Sequence, residues 1–337
     1  MKAKILELEG LVVSLPQKIK NFILDLIQQF YVAIDKLKNL SETNYNLGIF
    51  HIGKGNMRDA KMRFIFTIKL KPDFALAHYH LARCYLFDLA FDKAKQELEI
   101  ALSLDSDLAA AKYRLSIINK SVGLHPMPLQ VIEEDYDNLS YQYEDYVATQ
   151  LKYEAPRLLA QKIAEYFRKS EIDTEDLLAL DLGCGTGLVG AYLRQIVAIK
   201  SLSGVDISRN MLDLAKELEI NNEVVYNYIE ERDFNALKTT KKKYDIITAC
   251  LSLMYSNDLS VIFTKLDSLI DKDAVLGLVF LESADKDVVF DYDNGCFAFS
   301  AEYLLKVFKK FKWKIIAQEE IKLFANGSMG FIFLLNK

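Results

Sequence analysis

The second half of the chain reads as short, almost unbroken apolar runs separated by segments of helical spacing. Runs of strand character end at Asp181 and Asp206 and recur at 224–229, 244–250, 274–281, 313–319 and 329–335, while helical spacing occupies 188–197, 209–216, 258–270 and 300–310. Runs such as Tyr244 to Cys250 and Ala274 to Leu281 do not alternate with polar residues, as expected of strands buried on both faces. Seven strands alternating with helices predict an α/β fold around a mostly parallel sheet. Only Ile321 to Ser328 separate the last two strands. That is too little for a helical crossover, so these strands pair as a hairpin and leave one strand antiparallel.

The first half follows another period. A register of 34 residues aligns Leu47, Gly48, His51, Ala60, Phe64 and Pro72 with Leu81, Ala82, Tyr85, Ala94, Leu98 and Ser106. Large, small and aromatic positions recurring this way let pairs of antiparallel helices pack and stack. The clear repeats are 41–74 and 75–108; one period earlier Leu26, Phe30 and Ala33 form a degenerate half, and one period later Leu115 and Ser116 fall in a capping helix. The helical module is therefore expected over 1–120. A linker follows at 121–134, where Gly123, Pro126 and Pro128 break helix, and a second domain spans 135–337, entered through a tyrosine-rich cap at 135–168.

The densest chemical signal is the decapeptide 178–187, Leu-Ala-Leu-Asp-Leu-Gly-Cys-Gly-Thr-Gly. A strand ending in Asp181 runs into Gly183, Gly185 and Gly187, where the backbone turns without a Cβ to block a ligand. The spacing excludes a dinucleotide fingerprint, whose third glycine would stand at Leu188, and no Gly-Lys-Ser/Thr makes a phosphate loop. The second strand closes on Asp206, 25 positions after Asp181. A carboxylate at that tip can accept both ribose hydroxyls of a nucleoside. Ile207 can lie flat against a base, and Ser208 is a plausible helix cap.

Asp-Leu-Gly-Cys-Gly-Thr-Gly resembles the first motif, and Gly-Val-Asp-Ile-Ser-Arg-Asn-Met-Leu the second, of class I S-adenosylmethionine (SAM) dependent methyltransferases. The register of the first half is similar to tetratricopeptide (TPR) repeats. Tyr136-Asp-Asn-Leu-Ser-Tyr141 and Leu151-Lys-Tyr-Glu-Ala-Pro156 narrow the likeness to bacterial methyltransferases carrying N-terminal TPR repeats, over nearly the whole chain.

The resemblance implies a seven-stranded Rossmann-like sheet with an antiparallel last strand, preceded by an all-α TPR module. It also implies SAM as cofactor, with S-adenosylhomocysteine (SAH) as product. Cofactor contacts carried over from it are Asp181, Gly183, Cys184, Gly185, Gly187, Asp206, Ile207, Met211 and Cys250, with Tyr136 and Tyr141 of the cap reaching the methionine end. Asp233 and Phe234 match the pair that holds the adenine amine, although counting forward from Asp206 puts Tyr228 there. Glu282 and Asp258 are candidate proton acceptors if the methyl acceptor is a hydroxyl; a carboxylate acceptor needs no base. In Gly-Cys-Phe-Ala-Phe-Ser, 295–300, relatives have a His where this chain has Phe299.

Composition narrows the rest. A chain of 337 residues with 51% apolar residues can build two cores, and a net charge of −5 disfavours a nucleic-acid surface. The four histidines precede residue 135, so no metal site is expected in the second domain. Cys84, Cys184, Cys250 and Cys296 lack Cys-x-x-Cys spacing, no run approaches a membrane span, and Glu7 and Glu9 make Met1 to Pro16 a poor signal peptide, which together point to the cytoplasm. The fourth strand ends Ala-Cys-Leu-Ser, not Asn/Asp-Pro-Pro-Tyr, which disfavours amide or base-amine methylation. The expected acceptor is a small or carrier-bound molecule, methylated at oxygen. The alternative is a protein docked by the TPR module, which otherwise serves only for packing.

Overall fold

A computed structural model describes residues 17–123, 126–140, 143, 152–170, 172, 175–237, 243–285, 287–292 and 295–337. The chain divides into two compact units, Met1–Lys112 and Tyr113–Lys337. The division falls ahead of the boundary expected near residue 120. Its physical reason lies in the second unit: the Tyr113 ring meets Phe290 edge-on, Arg114 binds Glu134 and Asp135, and the Val122 amide donates to the Tyr292 hydroxyl.

The first unit is helical. It comprises α1 (Gln17–Ile52), α2 (Met57–Leu70), α3 (Ala75–Phe87) and α4 (Phe91–Leu104), and α5 (Ala109–Ile118) runs across the division. The repeat positions Ala60, Phe64, Leu81, Ala82, Ala94 and Leu98 are buried. Gly48 lets α1 and α2 touch, since a Cβ there would stand 2.6 Å from the Phe64 ring. The degenerate earlier half behaves differently. It belongs to one continuous 36-residue helix, and Leu26 and Phe30 are exposed.

The second unit is built on a seven-stranded sheet. Its elements run α6 (Leu129–Leu139), α7 (Ala155–Ser170), β1 (Leu178–Leu182), α8 (Leu188–Ile196), β2 (Ser201–Asp206), α9 (Arg209–Glu217), β3 (Glu219–Ile220), β4 (Glu223–Val224), β5 (Tyr228–Glu231), β6 (Tyr244–Cys250), α10 (Ser260–Leu269), β7 (Ile270–Leu281), β8 (Val288–Asp291), β9 (Cys296–Phe299), α11 (Ala301–Lys310), β10 (Lys314–Lys322) and β11 (Met329–Asn336). The order is β10-β11-β7-β6-β1-β2-β5. Strands β7, β6, β1, β2 and β5 are parallel, and β11 inserts antiparallel to both β7 and β10. The sheet is thus Rossmann-like with an antiparallel last strand.

Two apolar layers cover its faces. Leu159 and Ile163 of α7 and Leu193 of α8 pack with Val275 and Val279; Phe263 of α10 and Leu304 and Phe308 of α11 pack with Leu276, Leu278 and Phe280. Successive residues of β7 enter opposite layers, which is why that strand reads as apolar without alternation.

Two differences from the sequence reading stand out. The run at 224–229 splits: Glu223–Val224 turn back on Glu219–Ile220, and only Tyr228–Glu231 join the sheet. The hairpin of β8 and β9 was not anticipated, because Asp291 to Gly295 reads simply as a polar turn.

Candidate functional site

The carboxyl ends of β1, β2, β5 and β6 open onto a cavity of about 760 Å³, the place where parallel sheets hold ligands. Glycines shape its floor. Gly183 has a φ of +67°, and a Cβ there would lie 2.3 Å from that of Ser252, whose hydroxyl donates to the Leu182 carbonyl at 2.6 Å. Gly185, at φ +54°, has nothing within 4 Å of its missing Cβ, so its backbone faces the open cavity. Both backbones sit where side chains are strained.

Asp206 stands at the tip of β2. Its Oδ2 accepts from the Gly185 amide at 2.9 Å and its Oδ1 from the Ser208 amide at 2.9 Å. Burial raises its pKa, and amides of Ser208, Gly185 and Ile207 pull it back down. A carboxylate has about four lone-pair sites, so Asp206 retains capacity for further donors from the cavity. Thr186 in the same loop is buried, and its Oγ1 has no hydrogen-bond partner. A nucleoside with a charged tail fits such a lining.

Aromatic hydroxyls form another part of the lining. The Tyr136 hydroxyl of α6 and the Tyr255 hydroxyl lie 2.6 Å apart with their rings edge to face. The Tyr153 hydroxyl lies 3.0 Å from the Cys250 sulfur. Burial lifts the pKa of Tyr136, Tyr143, Tyr153 and Tyr255 and pushes the Cys250 thiol up to about 12, so this wall carries neutral groups. Pro126, Met127 and Pro128 also line the cavity, and the Met127 amide donates to the Tyr255 carbonyl at 3.3 Å.

Of the residues expected at the site, Tyr136, Gly183, Cys184, Gly185, Asp206, Ile207, Asp233, Phe234 and Cys250 line the cavity. Tyr228 does not; it is 65% exposed on β5. Asp181 is buried beneath the loop, where its Oδ2 accepts from Tyr226 and its Oδ1 from Thr248, each at 2.7 Å. Burial raises its pKa to about 6. Gly187 likewise faces inward, since a Cβ there would meet the Tyr226 ring at 2.9 Å, and Met211 is fully buried in the first turn of α9. Asp181, Gly187 and Met211 therefore support the loop from behind.

The proposed proton acceptors lie elsewhere. Asp258 accepts from the Ser260 amide at 2.8 Å at the start of α10, a bond that holds its pKa low. Glu282 continues β7 toward β9, its amide donating to the Met329 carbonyl, and neither acid lines the cavity. Phe299 is buried against Phe280 and Tyr303. Tyr141 lies outside the described residues.

Sequence reading missed Tyr153 and Ser252 as lining residues, and it treated Pro126 to Leu129 as linker. The Pro-Met-Pro signal was visible, but its destination was set by distant contacts. Among the described residues no cluster of His, Cys, Asp and Glu could hold a metal, and no helix is long and apolar enough to cross a membrane.

A family model described as a methyltransferase domain matches residues 179–272, the stretch from β1 into β7. The chain is 26% identical over 136 residues to a mitochondrial ubiquinone biosynthesis O-methyltransferase of Saccharomyces cerevisiae, covering 40% of this chain and 41% of that one. It is 27% identical over 195 residues to malonyl-[acyl-carrier protein] O-methyltransferase 2 of Ilyobacter polytropus, covering 55% of this chain and 69% of that one. The chain thus spans less than half of the first relative's length. Among solved structures, the [4+2]-cyclase SpnF superposes with a TM-score of 0.53 at 16% identity, covering 64% of this chain and 98% of that one, a likeness of fold. With the sheet order and the glycine loop in place, this chain carries a class I SAM-dependent methyltransferase domain.

Proposed function

We propose that the protein transfers the methyl group of SAM to an oxygen of a small-molecule or carrier-bound acceptor, releasing SAH. The observation that carries this reading is the single cavity that combines the Asp206 carboxylate and open glycine loop with a wall of neutral hydroxyls and apolar side chains. In this reading Asp206 accepts from the ribose hydroxyls, Ile207 covers adenine and Asp233 accepts from its amine. The loop around Gly183 and Gly185 makes room for the methionine end, with the Tyr136 hydroxyl beside it. SAM supplies an activated methyl group, so this chain's own work is to hold donor and acceptor in line and keep water out. In-line positioning supplies on the order of 7–11 kcal/mol in well-oriented systems.

Among the described lining residues the carboxylates are Asp135, Asp206 and Asp233. Asp135 is paired with Arg114, Asp206 is held by loop amides, and Asp233 accepts from the Asn235 amide. That arrangement favours an acceptor oxygen arriving already ionised, such as a carboxylate. The relatives named above are O-methyltransferases, which supports oxygen as the acceptor atom. Methyl-labelled SAM offered with panels of carboxylic acids, acyl-carrier thioesters and alcohols tests this. Label entering any of these acceptors at oxygen supports the reading, label in the acids or carrier-bound acids alone narrows it to an ionised acceptor, and label in none of them overturns it.

A second reading takes the helical unit as a TPR module docking a protein substrate. It rests on the repeat positions packed at a 34-residue spacing and on the exposed Phe50, Phe87 and Phe91. A Phe87→Ser, Phe91→Ser variant distinguishes the two. It keeps turnover of a small acceptor if the first reading holds and loses protein labelling if the second does. The buried free thiols Cys84, Cys184 and Cys296 suit a reducing cytoplasm.

A further inference from the structure

Asp137 follows Tyr136 on α6, yet its carboxylate reaches a different element. Its Oδ1 accepts from the Ser208 hydroxyl at 2.6 Å and from the Asn210 amide at 3.3 Å, while its carbonyl accepts from the Asn210 side chain at 3.2 Å. Ser208 is wholly buried and sits between two carboxylates. Its amide donates to Asp206 at 2.9 Å, its hydroxyl donates to Asp137, and the same oxygen accepts from the Met211 amide at 3.2 Å as the cap of α9. The rotor of Ser208 has one hydrogen to give, so Asp137 decides where it points, and the cap bond and the amide facing Asp206 follow.

Burial first, and the charge of Asp137 last, raise the pKa of Asp206. The bridging serine makes the approach of the two carboxylates tolerable. It also ties α6, whose Tyr136 hydroxyl meets that of Tyr255, to the loop that holds the Asp206 carboxylate at the tip of β2.

We propose that Asp137 is a positioning residue for the cofactor: acting through Ser208, it fixes the Asp206 carboxylate and the cap helix in mutual register, so that the nucleoside and methionine ends of the site form together. This rests on the reading of Asp206 as the ribose acceptor.

The test is SAH binding to the full chain by calorimetry, in a cycle of Asp137→Ala, Ser208→Ala and the double variant, with Asp137→Asn and Asp206→Asn alongside. Asp137→Ala weakens SAH about tenfold, the loss expected of a hydrogen bond to a charged group. Asp137→Asn, which still accepts from Ser208, stays within about threefold of the parent. In the Ser208→Ala background, removing Asp137 adds less than about threefold, because the path between the two carboxylates is already cut. A full tenfold loss in both backgrounds, or no loss in either, overturns the proposal. If Asp206→Asn itself leaves SAH affinity unchanged, the ribose assignment falls and the proposal falls with it. If Asp206→Asn weakens binding while Asp137→Ala does not, only the positioning role falls. Should Asp137→Ala fold poorly, Asp137→Ser, which keeps a short polar group, takes its place in the same cycle, judged by the same coupling.

Discussion

The two walls of the cavity are made in opposite ways. On the strand side, Gly183, Gly185 and Asp206 lie within two adjacent βα turns, and main-chain amides hold the carboxylate. On the cap side, the facing hydroxyls of Tyr136 and Tyr255 are 119 positions apart in sequence and meet only when α6 is docked. The strand wall is charged and held by main-chain amides, whereas the cap wall is neutral and assembled from side chains. A site built this way binds the invariant part of a ligand with local backbone and leaves the variable part to long-range packing.

The largest expected effect breaks the strand wall itself. Gly183→Ala forces a non-glycine residue to φ +67° and drives a Cβ into Ser252, which together cost roughly 2–4 kcal/mol. Urea unfolding should show that loss, whereas a stability equal to the parent's would mean the loop relaxes freely. Next, Asp206→Ala removes the acceptor from a folded loop, so calorimetry should show SAH bound about tenfold more weakly, a loss of roughly 1–3 kcal/mol.

Asp181 sharpens the contrast through pH. Its folded pKa of about 6 lies above the ordinary carboxylate value of about 3.9, so the folded state favours the protonated form. The stabilisation is fully present below about pH 4 and is lost as pH rises to about 6. Asp181→Asn, neutral throughout, should flatten the dependence of the melting temperature on pH across that window; an unchanged slope would place the titration elsewhere. The smallest effect belongs to the cap wall. Tyr136→Phe leaves the Tyr255 hydroxyl without its partner and should weaken SAH about two- to fivefold with the fold retained. A loss as large as that of Asp206→Ala would make the cap as decisive as the strand wall.

The same contrast explains what could be read from the sequence. The seven strands, the antiparallel last strand, Gly183, Gly185, Asp206 and the cavity position of Asp233 follow from local runs and turn chemistry, which need few neighbours. Asp181 and Gly187 belong to the motif but do not line the cavity: the Tyr226 ring takes the space that Gly187, Gly190 and Gly204 leave and delivers its hydroxyl to Asp181. Nothing at 181 or 226 alone announces that pairing. Asp258 lies outside the cavity lining and accepts from the Ser260 amide, a contact its sequence neighbours do not announce, and Pro126 to Pro128 read as linker because helix breakers do not say what they pack against.

The most direct test of the account is calorimetric titration of SAH into the parent and into Gly185→Val, with thermal unfolding of each. The Gly185 backbone faces open cavity, so the added side chain fills ligand space rather than the core. The account predicts one SAH per parent chain and none detectable for a variant that still unfolds cooperatively. SAH binding equally well to a folded Gly185→Val variant would contradict it.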